Sequence, residues 1–257
     1  MNLLVLKLLV TPTLIGVASW AGRRWGPAIS GWLVGLPLTS GPILFFLALN
    51  QGPTFARDAA FGIMAGTLSQ ALVCLVYARL AHRWRWPVAL GAGVAAFAGA
   101  TLALARVGDL PFGGLYGVVL VFLAATLAAM PRGAAGIASA VALPAWDIPA
   151  RMLVVTAYVV ALTTAADALG PHLTGLLSPF PLFAIVLAVF GHHLQGPAAA
   201  MQVLRGLIIG LFSFATFVLI VGSLIVAAPL WVTFTAATAG ALVVQALALW
   251  VMRRGLV

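Results

Sequence analysis

Two segments of the chain, GPAISGWLVGLPL at residues 26–38 and GPHLTGLLSPFPL at residues 170–182, match at an offset of 144 residues. At the same offset, without a gap, the triplet Gln-Gly-Pro at 51–53 lies over an identical triplet at 195–197. From residue 26 to residue 66 the two copies agree at 13 of 41 positions. Gly-Pro pairs repeated in a fixed register indicate an internal duplication rather than a biased composition.

The composition requires a non-aqueous environment for most of the chain. Of its 257 residues, 64% are hydrophobic and only 7% are charged, and the mean hydropathy is +1.18. A soluble domain carries roughly a quarter charged residues. The net charge of +9 is spread in ones and twos between apolar segments, which is typical of loops beside membrane spans and not of a nucleic-acid surface. The single cysteine, Cys74, excludes a disulfide framework, and we expect no metal or cofactor.

Nine apolar segments have the length of about 20 residues that a membrane span needs. They lie approximately at 4–22, 28–49, 59–81, 87–105, 112–130, 152–169, 173–191, 204–226 and 230–251. The Ala- and Gly-rich stretch at 134–146 is short for a span, so we expect a connection along or into the interface. With the N-terminus outside, nine spans place ten of the 13 basic residues in the cytoplasm. A tenth span would change the split to six and seven, so the positive-inside rule favours nine.

The duplication and the span count together predict an all-α membrane fold with two four-helix repeats, residues 1–107 and 149–257. A linker helix and a connection occupy 108–148. Because one span intervenes, the repeats would enter the membrane in opposite directions, as in many secondary transporters. Ten spans would instead make them parallel. Lys7 lies over Arg151 at the same offset, and the span count puts Lys7 outside and Arg151 inside.

The repeat motif also carries a family resemblance. An aliphatic and a small residue are followed by Gly and Leu and then by F-P-x-F-A, at Gly175, Leu176, Phe180, Pro181, Phe183 and Ala184. The first half keeps Pro37 but has Leu36 and Thr39 where the phenylalanines stand. In these residues the chain resembles the GlpM-like small four-span inner-membrane proteins of bacteria. The resemblance implies a fused, doubled version of such a unit in a bacterial inner (plasma) membrane, and it implies no substrate.

Prolines interrupt the second and the seventh span, which carry the repeat motif. In the second span Thr39 and Ser40 lie between Pro37 and a Gly-Pro pair, and the seventh contains Ser178, Pro179 and Pro181. A proline removes a backbone hydrogen bond, and in hydrocarbon the freed groups must be buried in protein or line a wet cavity. Ser178 before Pro179 resembles an N-cap, and Ser40 is a weaker version.

A matched pair of interrupted helices predicts a transporter's binding site, and two half-helix N-termini would suit an anionic group. The alternative is that the two helices are only kinked, with Ser and Thr side chains bonded to the backbone groups that the prolines leave unpaired. Other polar residues within spans are Ser69 and Gln70 in the third span and Ser213, the repeat equivalent of Ser69, in the eighth. We expect them to line the cavity or to bond neighbouring helices. Asp167 is the deepest acid, so it is either a coupling group or an interfacial cap.

These features predict a carrier or facilitator of a small solute, with membrane lipids as its surroundings and a cytoplasmic C-terminus. A lipid-handling protein of the flippase type, or an accessory subunit of envelope biosynthesis, is the alternative, and a lateral opening lined by Arg83, Arg85 or Arg205 would favour it. A selective channel is a further alternative to the carrier. We expect no enzyme, since motifs such as G-x-S-x-G and H-E-x-x-H are missing. Gly- and Ala-rich faces suit helix packing, including packing in a homo-oligomer.

Overall fold

The computed structural model describes residues 3–25, 36–106, 110–131 and 147–253, and this part of the chain is helical throughout apart from short turns. Its ten helices are α1 (Leu3–Trp25), α2 (Ser40–Asn50), α3 (Pro53–Ala81), α4 (Trp86–Leu104), α5 (Phe112–Ala129), α6 (Asp147–Thr164), α7 (Ala166–Leu177), α8 (Leu182–Gln195), α9 (Pro197–Leu224) and α10 (Leu230–Arg253). Residues 26–35 and 132–146, which include the beginning of the second span expected at 28–49 and the connection expected at 134–146, lie outside the described residues.

Five of these helices, α3, α4, α5, α9 and α10, are long and apolar enough to cross a membrane. Together, α7 and α8 form one further candidate span that bends by 47° across residues 178–181. Shorter apolar helices occur in α1, α2 and α6. The chain is therefore a multi-pass helical membrane protein, and the break expected in the seventh span is present.

The centre of the molecule is the pair α3 and α9, which pack against each other. Within their most apolar windows 72% and 61% of the residues are buried, against 22% in each of α4, α5 and α10. Apolar helices that expose most of their surface belong against lipid. In addition, α3 contacts α2, α4, α5 and α7, whereas α9 contacts α5, α8 and α10. A separate contact joins α1 to α6.

Both central helices begin in the same way. Pro53 and Pro197 are their first residues, where the missing N–H would have no helical acceptor in any case. Gly52 and Gly196 precede them at φ 91° and 90°, a left-handed backbone that glycine adopts without strain. The helices therefore start before the predicted spans at 59 and 204, and their starts are 144 residues apart, as are those of α4 and α10.

The central helices run antiparallel. Early in α3, Ala60 lies beside Gly222 near the end of α9, where an added Cβ on Gly222 would be 3.3 Å from the Ala60 Cβ. Later in α3, Gln70 lines the same pocket as Leu211 and Phe214, which precede Gly222 in α9. As residue numbers rise along α3, their neighbours in α9 fall.

Candidate functional site

The start of α2 and the break between α7 and α8 line one small pocket beside the central helices. Its volume is about 30 Å³. The lining residues are Leu36, Leu38, Thr39, Ser40, Gln70, Ser178, Pro179, Phe180, Pro181, Leu182, Phe183, Ala184, Leu211 and Phe214. Segments about 140 residues apart in sequence thus meet at one place. Of the residues expected at the site, Thr39, Ser40, Gln70, Ser178, Pro179 and Pro181 lie together here.

Proline chemistry explains the break. Pro181 has no N–H to donate to the carbonyl four residues earlier, that of Leu177. The phenol of Tyr158 in α6 donates to this carbonyl oxygen at 2.5 Å, and the N–H of Phe180 lies 3.0 Å from it. Both the freed carbonyl and the bend are therefore stabilised by protein groups, as backbone at membrane depth requires.

The hydroxyls of Ser40 and Ser178 do not cap helices. Ser178 is the C-cap of α7 and α8 begins at Leu182, so the N-cap expected at Ser178 is wrong. Pro181, not Pro179, stands before the first turn of α8. In α2, Thr39 occupies the N-cap position without a side-chain cap bond, and Ser40 is the first helical residue. The Ser178 Oγ instead donates to the Ser40 Oγ at 2.9 Å, which joins the start of α2 to the break between α7 and α8.

Gln70 is the polar side chain of α3 in this pocket. Only 6% of the residue is exposed, and its Oε1 has no hydrogen-bond partner in the described part of the chain. A buried amide oxygen without a donor costs about 1–3 kcal/mol. The packing explanation offered for Gln70, a bond to a neighbouring helix, leaves this oxygen unexplained.

Three expected site residues lie outside the pocket lining. Ser69 accepts a bond from Thr101 of α4 at 3.1 Å, and Ser213 donates to the carbonyl of Ala241 in α10 at 2.8 Å. These two serines, 144 residues apart, therefore hold α3 to α4 and α9 to α10. The carbonyl of Pro37 accepts from the N–H of Gly41 at 2.8 Å, where it supports the start of α2.

Asp167 does not reach the pocket. It lies in the first turn of α7 and is exposed, whereas the pocket begins at the other end of this helix. Asp167 is therefore not among the residues of this pocket, and its role as a coupling group or an interfacial cap stays a prediction.

Two buried basic residues were missed as site candidates. Lys7 in α1 is 6% exposed and Arg151 in α6 is 2% exposed, although the span count placed both at span ends. The Lys7 Nζ lies 5.7 Å from the ring centre of Phe46, and the Arg151 Cζ lies 5.2 Å from that of Phe183, which lines the pocket. Lys7 and Arg151 are equivalent at the offset of 144 residues, and this equivalence was the sequence signal that could have identified them.

A larger cavity of about 730 Å³ lies at the end of the molecule where α3 and α5 begin. It is lined by Arg57, Asp58, Phe61, Ala105, Leu110, Phe112, Pro171, His172, Gly222 and Ser223. His172 of α7 lines this cavity, and Ser178, the C-cap of α7, lines the small pocket. The helix α7 therefore lies between the two spaces. It packs tightly there, because a Cβ on Gly66 would be 2.6 Å from the Leu176 carbonyl, and one on Gly175 would meet the Ala59 carbonyl.

Four further arginines either bond the end of α5 or are exposed. Arg205 of α9 donates to the carbonyls of Leu127 and Met130 at 3.3 Å, and Arg79 donates to that of Ala129 at 3.2 Å. Cations at a helix C-terminus stabilise it, so these bonds attach the end of α5 to the central pair. Arg83 and Arg85 are exposed in the turn between α3 and α4.

In the described part of the chain no three His, Cys, Asp or Glu side chains come together as metal ligands. No family model, curated protein or solved structure matches the chain.

Proposed function

We propose that this chain is a membrane transport protein that carries or conducts a small solute through the pocket between its interrupted helices. One observation carries the proposal. The start of α2 and the break between α7 and α8, from opposite halves of the sequence, meet in a pocket that contains paired hydroxyls and a buried amide with an unused oxygen. Interrupted helices that line a cavity are how transporters expose backbone groups to a solute at membrane depth.

The proposed architecture is nine spans in two inverted repeats, 1–107 and 149–257, with 108–148 between them. Five long apolar helices, one bent pair and three shorter apolar helices support nine spans. Inversion is supported by the antiparallel arrangement of α3 and α9, which begin at equivalent positions. In the bacterial inner membrane, the large cavity would then face outward and the end of α5 would face the cytoplasm.

In this proposal the large cavity is the entrance and the small pocket is the site. Since α7 separates them, a solute passes only when α7 moves away from α3. The contact involves glycine backbone rather than interlocking side chains, which lets two helices slide or separate with little repacking. Closure of one side and opening of the other is the alternating access that inverted repeats support.

The test is solute flux into proteoliposomes that contain the purified full-length chain, with a panel of polyols, amino acids and sodium salts. We expect at least one small solute to enter, and Ser178→Leu to lower its initial rate by about tenfold or more, because overpacking a filled site costs about 1–3 kcal/mol. Ser69→Ala is the matched control, since Ser69 lies at the α3–α4 contact, and it should keep the rate. Size-exclusion profiles check that both variants fold.

Entry of no solute, or an unchanged rate in Ser178→Leu, would overturn the carrier. Scrambling of a fluorescent phospholipid in the same vesicles would instead favour the lipid-handling function that the sequence left open.

A further inference from the structure

We propose that the small pocket binds a small neutral molecule that both donates and accepts hydrogen bonds, such as water, formamide, urea or ethylene glycol. These molecules would be the substrate class of the proposed transport site, so their role in flux rests on that proposal, whereas binding itself is independent of flux. The observations behind the proposal are an unused amide oxygen, a pair of hydroxyls, an uncharged lining and a small volume.

The amide of Gln70 lies in the pocket lining with its oxygen unused. The residue is 6% exposed, and its Oε1 has no hydrogen-bond partner in the described part of the chain. A bound donor explains a buried oxygen of this kind. The NH₂ group of the same amide only donates, and a half-turn about the terminal torsion exchanges the two groups. In either orientation, a ligand that both donates and accepts can bond the amide.

The hydroxyl pair in the lining has the same double character. The Ser178 Oγ donates its proton to the Ser40 Oγ at 2.9 Å. Ser178 therefore keeps lone pairs that can accept, and Ser40 keeps a proton that it can donate. A halide, which only accepts, or an ammonium ion, which only donates, would use half of these groups. A neutral molecule with both functions can use all of them.

The lining is uncharged. Each of its described residues has an aliphatic, aromatic, proline, hydroxyl or amide side chain. Arg151 contacts the ring of Phe183 and is not itself among these residues. The start of α2 also offers few backbone donors to an anion, because the Gly41 N–H bonds the Pro37 carbonyl and Pro42 has no N–H. Burial of an ion costs far more than burial of a neutral polar molecule, so this lining favours a neutral ligand.

The volume limits the size of the ligand. About 30 Å³ corresponds to one or two water molecules, since one water needs roughly 10–15 Å³ of such space. Sugars and most amino acids do not fit this state of the pocket, whereas compact molecules of up to about four heavy atoms do.

The first experiment measures permeation by stopped-flow light scattering in proteoliposomes of the full-length chain, with protein-free vesicles as the baseline. The probes are water, formamide, urea and ethylene glycol. We expect at least one of them to permeate faster than the baseline. Faster permeation of water alone would assign the site to water, and faster permeation of another probe would assign it to that solute.

Gln70→Met keeps the length of the side chain and removes both hydrogen-bonding groups. It should lower the protein-dependent rate about tenfold or more, because a ligand that has lost its water shell then lacks a partner. Gln245→Met changes a buried glutamine of α10 that is not among the described lining residues, and it should keep the rate. Should Gln70→Met fail to fold, Ser40→Ala removes the donor of the hydroxyl pair and should also lower the rate.

A crystal structure of the full-length chain tests binding without flux. We expect a non-protein peak at about 2.7–3.2 Å from the Gln70 amide, and its loss in Gln70→Met. An empty pocket, replacement of the peak by bromide, or equal effects of the Gln70 and Gln245 variants on permeation would overturn the neutral ligand. A peak at Gln70 without flux of any solute would support the neutral ligand and overturn the carrier. Flux of salts or larger solutes that Gln70→Met leaves unchanged would retain the carrier and overturn the neutral ligand.

Discussion

Individual hydrogen bonds hold the break between α7 and α8. The Leu177 carbonyl loses its helical donor at Pro181 and gains the Tyr158 hydroxyl from α6. The hydroxyl of Ser178 reaches Ser40 in α2. The carbonyl that Pro181 frees and the hydroxyl of Ser178 are therefore each bonded by another helix, which supports the geometry of the break. Among the described residues that line the pocket, Gln70 has a buried side-chain oxygen without a hydrogen-bond partner.

Tyr158→Phe removes one of these bonds and keeps the ring. We expect a loss of about 0.6 kcal/mol, and of at most about 1.7 kcal/mol, in the free energy of unfolding, which are the average and the maximum for hydrogen bonds between membrane helices. We also expect slower solute flux, since the Leu177 carbonyl then lacks its donor and the break loosens. Unfolding in mixed detergent micelles gives the first quantity, and proteoliposome uptake gives the second.

Tyr116→Phe is the matched control, because the Tyr116 hydroxyl bonds Thr216 at 3.0 Å between α5 and α9, away from the break. It should lose similar stability and keep its flux. Equal effects of the two variants on flux would contradict a special role for the Tyr158 bond.

Among the elements, α7 makes a very close backbone contact with α3. Gly62 and Gly66 of α3 and Gly175 of α7 allow the two backbones to touch, and a Cβ at any of the three would meet a carbonyl of the other helix. Small residues permit such an approach in membranes, where dispersion forces rather than the hydrophobic effect join helices. In the proposed transport function, this contact separates the large cavity from the small pocket.

Gly175→Ala should force α7 away from α3. We expect a destabilisation of about 1–3 kcal/mol, as for other overpacked sites, measured by unfolding in mixed micelles. Gly99→Ala in α4 is the control, because nothing lies within 4 Å of an added Cβ there. Alanine is favoured over glycine in a helix by about 1 kcal/mol, so this variant should be neutral or more stable. A neutral Gly175→Ala would contradict the close contact.

In the whole molecule, the ends of the helices fall into two groups. The starts of α3 and α5 and the end of α9 line the large cavity. At the other end of α3, Arg79 bonds the end of α5. At this second end, the Tyr77 hydroxyl lies 3.2 Å from the His192 Nδ1 near the end of α8. Such a grouping agrees with nine spans, in which these two sets of ends lie on opposite sides of the membrane.

The inverted architecture predicts opposite labelling of two equivalent positions, 83 and 227, which are 144 residues apart and exposed in turns. In a Cys74→Ser background, a membrane-impermeant thiol reagent should modify Ala227→Cys in intact cells and Arg83→Cys only after permeabilisation. The native Cys74 is buried, so its replacement removes background without touching a surface. Labelling of both positions from the same side would favour the parallel repeats of a ten-span chain.

The sequence by itself determined the membrane class, the offset at which helices recur and the places where they break. These properties are local. The transfer free energy of an apolar segment and the missing N–H of Pro181 act wherever the segment lies, so they are readable without knowledge of its neighbours. Even here the cap was beyond local reasoning, because Ser178 and Pro179 satisfy the helix-start pattern, yet α8 begins at Leu182 with Pro181 as its N-cap.

Only the tertiary structure decided which polar groups share the pocket. Ser69 and Gln70 are adjacent in sequence, yet Ser69 bonds α4 and Gln70 lines the pocket, because successive side chains on a helix point about 100° apart and meet different neighbours. Lys7 and Arg151 belong to apolar helices whose own sequences place them near a membrane surface. Their burial results from the rings of Phe46 and Phe183 on other helices, and which rings cover a charge is decided by packing between elements distant in the chain.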